Sequence, residues 1–189
     1  MTSAHAAMEW LANTEWSVAL HGSRYAYPIV ESVHVWALCL FLGFAVLLDL
    51  RLVGIVFRDV PVSHITRRVL PWTKAGFVIM AVSGILLFYA IPLRTYHNVF
   101  FRMKVILLIL AGLNAFVFHN GIHREVAKWD LAGPLPRPAR LAGMWSLILW
   151  AAIVFSGRFI AYNWFDCAKP QPAIVNAFAG CTSDMLDPY

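Results

Sequence analysis

Imidazole, lysine and arginine side chains set inside long apolar runs are the groups in this chain with chemistry to offer. His34 lies in the run AYPIVESVHVWALCLFLGFAVLLDL, three residues after Glu31, a spacing that puts both on one helix face. Lys104 opens the run RMKVILLILAGLNAFVFHNGIH, Arg102 to His123, and His119 and His123 close it. Arg158 and Tyr162 lie well inside Gly143 to Phe165, Lys74 opens Thr73 to Leu93, and Asp49 and Arg51 end the first run. Ionisable groups at such depths are costly, and those present face the protein interior, a cavity or a bound group. Haem iron takes histidine as an axial ligand, and haem propionates pair with Arg or Lys. Imidazole also binds copper, but soft copper sites call for clustered Met or Cys, and Met80, Met103, Met144 and Cys39 are scattered. The plainer alternative makes His34 a core histidine bonded to Glu31 or a backbone carbonyl, with His119 and His123 as interfacial polar residues. No CxxCH attachment, Ser/His/Asp arrangement or phosphate-cradling glycine loop is present, so any haem is of the non-covalent b type.

The elements that position these groups follow from composition. Of 189 residues 60% are hydrophobic and 13% charged, whereas a soluble domain is nearer half apolar and a quarter charged. An integral membrane protein is implied, with eight Trp and six Tyr suited to interfacial belts. About 20 helical residues cross a bilayer, and four stretches qualify: Ala26–Leu50, Thr73–Leu93, Arg102–His123 and Gly143–Phe165. The fold expected is an all-α membrane four-helix bundle over residues 26–165. An interfacial amphipathic helix precedes it over residues 1–25, carrying Trp10 and Trp16 on its apolar side, and a tail follows over residues 166–189. The first 25 residues show no cleavable signal. Gly76, Met80 and Gly84 recur every four residues, a mark of close helix packing or of a flat cofactor against the glycine face.

Charge sets the orientation. The first and third connections carry Arg58, Arg67, Arg68, Arg124, Lys128, Arg137 and Arg140, while the second has Arg94 and Arg102. The positive-inside rule makes the first and third cytoplasmic and both termini periplasmic. The net charge of +5 is spread over loops, which suits anionic lipid and argues against nucleic acid. Cys167 and Cys181 then share an oxidising compartment and are expected to form a disulfide.

Two polar layers result. The outer one gathers His34, Lys104 and Arg158, with His97 and Arg102 from the loop and Gly84 for clearance. The inner one gathers Asp49, Arg51, Lys74, His119 and His123. His34 and His119 differ by about 12 residues of rise, roughly 18 Å, so they cannot ligate one ion, and one or two haems b are expected. Neither histidine has a second histidine opposite it at its own depth, and Lys104 is a candidate sixth ligand at the outer site.

The stretches YPIVESVH, DLRLVG, RRVLPWTKAGFVIMAVSGILLF, FRMKVILLILAGLNAFVFH and ARLAGMWSLILW with SGRFIAY resemble a group of small bacterial inner-membrane proteins known only as a domain of unknown function. More remotely, the histidine of the first span and the lysine opening the third are similar to those of the four-helix, haem-b protoporphyrinogen oxidase, and of the membrane domain of copper-resistance proteins. That resemblance implies that His34 and Lys104 hold the haem. The function expected is electron transfer by a b-type cytochrome, between quinone and a periplasmic redox partner or within a larger respiratory complex. The alternatives are a copper or small-solute transporter and a cofactor-free accessory subunit.

Overall fold

A computed structural model describes residues 3–122, 124, 126, 130, 135–162, 165, 167 and 171–181. Among them the chain is helical with no strand: α1 Ser3–Ala12, α2 Glu15–Gly22, α3 Ala26–Val53, α4 Val62–Ala90, α5 Pro92–Tyr96, α6 Val99–Val117, α7 Arg137–Ile160 and α8 Ala173–Ala179. A single π-helical turn, Phe118–Ile122, extends α6. Four helices, α3, α4, α7 and α6 with its π turn, are long and apolar enough to cross a bilayer. Their apolar side chains lie largely on the outside. Trp36 is 79% exposed, Ile109 65% and Phe116 64%, an inversion of soluble packing that lipid makes favourable.

Hydropathy locates the lipid boundary and not the helix end, and α4 shows the difference. The helix begins at Val62, eleven residues before the apolar run. It carries Pro71 within it and keeps His64, Arg67 and Arg68 exposed. Its start is fixed from afar: the Asp130 carboxylate accepts from the Val62 N–H at 2.6 Å and the Ser63 N–H at 3.2 Å, neutralising the positive end of the helix. The fourth span likewise starts at Arg137, with Pro138 in its first turn, and ends at Ile160. The leader expected as one helix is two, broken at Asn13 and Thr14. The second span, expected to run to Leu93, ends at Ala90, and Pro92 opens α5.

The chain divides into two compact units. The second in chain order comprises Val35–Ala81 and Leu107–Ala152. Its core has two clusters, Leu52, Val62, Phe118 and Ala139 in one and Ala37, Phe41 and Met80 in the other. Phe41 meets Trp150 edge-on at 4.7 Å between ring centroids. Gly76 lets α4 close on α3: a Cβ there would lie 2.9 Å from the Phe41 backbone nitrogen. Asn114, the polar residue within the apolar run of α6, donates to the Ala142 carbonyl of α7 at 3.1 Å, so its amide is not left bare in hydrocarbon.

The first unit comprises Met1–His34, Val82–Ile106 and Ile153–Tyr189. Here α1 packs on α5. The turn before α2 grips the end of α4: the Thr14 hydroxyl donates to the Leu11 carbonyl and accepts from the Tyr89 hydroxyl at 2.7 Å. The buried Ser17 hydroxyl donates to the Tyr89 carbonyl at 2.8 Å. The expected disulfide is present, joining Cys167 to Cys181 across 14 positions.

Candidate functional site

The first unit holds two ionisable side chains of the spans, each set against a Ser-Gly step. On α3, His34 is half-buried. Its Nδ1 lies 3.1 Å from the hydroxyl of Ser83 on α4, and Ser83 is itself buried. The next residue, Gly84, makes room for the ring, since a Cβ there would come 3.2 Å from His34 Cε1. On α6, Lys104 is half-buried against Gly157 of α7, where a Cβ would lie 3.1 Å from the ammonium nitrogen. Ser156, beside Gly157, is buried. The histidine is thus met from α4 and the lysine from α7. In each case a glycine admits the side chain, and at His34 the Ser83 hydroxyl also hydrogen-bonds it. The sequence carries the signal as a repeated Ser-Gly dipeptide, at 83–84 and 156–157, which span-by-span reading passes over.

The remaining residues expected in the outer layer do different work. The Arg102 guanidinium is tied to backbone, Nε donating to the Tyr96 carbonyl at 3.0 Å and Nη1 to the Phe178 carbonyl at 2.7 Å. It also lies 4.7 Å over the Tyr96 ring. Gly180, left-handed at φ 71°, ends α8, and a Cβ there would come 2.9 Å from Arg102 Nη2. His97 is buried between the two ends of the chain: its Nδ1 lies 3.1 Å from the Ala179 carbonyl and its Nε2 3.0 Å from Nδ1 of His5. A carbonyl only accepts, so Nδ1 of His97 carries the proton, its Nε2 accepts, and His5 Nδ1–H donates. Burial pushes the His97 imidazole below its ordinary value. The Ala179 carbonyl works against that, and the neighbouring His5 and Arg102 add to it. Arg102 and His97 therefore hold the tail and the leader in place. Arg158 is exposed, its guanidinium 5.2 Å over the Tyr162 ring. A groove of about 450 Å³ runs beside this clamp, lined by Tyr96, Phe101, Arg102, Val105, Ile106 and Phe178.

The second unit contains the residues expected in the inner layer, and it does not bring them to one point. His119 is exposed on the π turn, with Nδ1 donating to the Ala115 carbonyl at 3.2 Å. Lys74 is exposed on α4. Arg51 is buried, and its Nε donates to the Val60 carbonyl at 2.8 Å, which closes the loop after α3. His123 lies outside the described residues. Among the described residues no three of His, Cys, Asp or Glu are grouped to hold a metal ion.

His5, Ser83, Ser156 and Gly157 are residues of these clusters that sequence reading did not reach. His5 had no signal, because its partner lies 92 positions away. No curated protein and no solved structure matches this chain. A family model does match, over residues 10–163, which takes in His34, Ser83, Gly84, Lys104, Ser156 and Gly157; the chain belongs to that family, DUF6644, a family of unknown function.

Proposed function

We propose that the protein is a b-type cytochrome of a bacterial inner membrane, carrying electrons between quinone and a periplasmic redox partner or within a larger respiratory complex. The observation that supports this reading most is the seating of His34. If Nδ1 donates to the Ser83 hydroxyl, Nε2 is the lone-pair nitrogen, the tautomer that a metal-ligating histidine with an oriented outer nitrogen adopts. Gly84 keeps the ring clear of a neighbouring Cβ. In this reading His34 is the axial ligand, Lys104 supplies the second ligand or a charge partner, and Arg158 is the cation left to pair with a propionate. Haem supplies the one-electron chemistry; the chain supplies ligation, orientation and a dry surrounding. One haem is favoured over two, because His119 and Lys74 are exposed and Arg51 is engaged with the Val60 carbonyl.

The Lys and Arg distribution supports cytoplasmic first and third connections with both termini periplasmic, an orientation that also suits the disulfide. The leader helices then lie at the outer interface with their exposed Trp10 and Trp16 toward lipid. Detergent-purified protein made with ample haem supply should give a reducible b-type spectrum. His34→Ala should abolish it, Lys104→Ala should change its spin state or weaken retention, and His119→Ala should leave haem content unchanged. Wild-type protein without a pyridine haemochrome signal would end this reading and move copper or small-solute transport ahead.

A further inference from the structure

Asp49 is the buried carboxyl that electron transfer leaves unused. It sits one turn before the end of α3 and is 7% exposed. The Ser146 hydroxyl of α7 hydrogen-bonds the carboxyl, and the Oδ2 atom is covered with no hydrogen-bond partner. Gly143 brings α7 close to this turn of α3: a Cβ there would lie 3.0 Å from both the Asp49 backbone carbonyl oxygen and Leu52 Cβ. Charged groups on the surrounding elements are engaged elsewhere or turned outward. Arg51 donates to the Val60 carbonyl, and Asp130 accepts from the first N–H groups of α4. Arg67, Arg68, Lys74, His119 and Arg140 are exposed. An ionised carboxylate in such a place lacks compensation, and a buried charge is tolerated only when paired or hydrogen-bonded throughout.

We propose that Asp49 is a proton-binding site, taking up and releasing a proton inside the second unit. A cation such as sodium or calcium calls for several oxygen ligands, whereas a proton needs one, and Oδ2 is the oxygen placed to carry it. Ser146 then acts as a positioning residue, because its hydroxyl donates to the carboxylate and favours the ionised form. The inference stands independently of haem. It assigns this protein a titrating group within a span, the kind of residue through which membrane proteins couple their work to protons.

Dicyclohexylcarbodiimide, an apolar reagent that adds to protonated carboxyls in membrane interiors, tests the site in full-length wild-type protein reconstituted in liposomes. Peptide mass mapping should find the adduct on Asp49, with labelling that falls as the pH rises, while a water-soluble carbodiimide labels the exposed Asp59 and spares Asp49. Ser146→Ala, which removes a donor to the ionised form, should move the labelling curve to higher pH. Asp49→Glu should keep labelling and Asp49→Asn should lose it at that peptide alone. Absence of label on Asp49 across the pH range, equal labelling by the water-soluble reagent, or a Ser146→Ala curve that does not move would each overturn the assignment.

Discussion

Lowering the pH from about 7.5 to about 5.5 should loosen α1 from α5, because the contact between them turns on one shared proton. The His5 Nδ1–H donates to His97 Nε2 at 3.0 Å, and His97 Nδ1–H donates to the Ala179 carbonyl. A second proton on His97 would leave two N–H groups facing each other. The ionisable groups facing His97 are His5 and Arg102, and both oppose that proton, as burial does first. The folded value therefore lies below the ordinary 6.5, and the undocked state binds more protons. The stabilisation is complete above about 6.5 and is lost as the pH falls from there through the folded value, with a slope of at most about 1.4 kcal/mol per unit, or tenfold in the docking equilibrium. His5→Ala removes the donor and leaves a buried acceptor, at a cost of about 1–3 kcal/mol. It should also flatten the pH response. Amide hydrogen exchange of Ser3–Ala12 and Pro92–Tyr96, normalised for the intrinsic pH dependence of exchange, measures both effects. Equal opening free energies at the two pH values, or tighter docking at the lower one, would refute the shared-proton account.

Three further outcomes are expected. Gly76→Ala places a Cβ 2.9 Å from the Phe41 backbone nitrogen and should destabilise by about 1–3 kcal/mol, as overpacking does, seen as a lower melting temperature in detergent. Reducing Cys167–Cys181 opens a loop of 14 positions, with a loss of about 3 kcal/mol in the chain-entropy estimate; faster proteolysis of Ala173–Ala179 reads it out. For orientation, Arg94→Cys should react with an impermeant maleimide in intact spheroplasts and Asp59→Cys only after lysis. Both positions are exposed, unlike Asn98, which is 1% exposed.

The four spans were legible because apolar runs of bilayer length leave few other folds, and the disulfide because two cysteines share one tail. Helix ends were not. The start of α4 depends on Asp130, 68 positions from Val62, and no local signal in Val62–Arg68 announces it. His34 and Lys104 were picked out by the cost of burying them, and both are half-buried against glycine. Arg102 and His97 were assigned to the same layer on depth alone, yet their partners are backbone carbonyls of the tail and a leader histidine. Depth along a helix says how costly a group is. It does not say which long-range contact answers it.

The position of His97 also sets an order of assembly. It bonds to a residue 92 positions before it and to one 82 positions after it, so loop closure on both sides must precede the contact. The leader is made first and the tail last. During synthesis from the amino end, the α1 contact can form once α5 emerges, but Ala179 arrives only after α7 has been inserted. His97 is therefore a keystone fitted at the end of biogenesis. A chain stalled before α8 would leave it half-bonded and the leader poorly held, a local mark by which an unfinished molecule differs from a finished one.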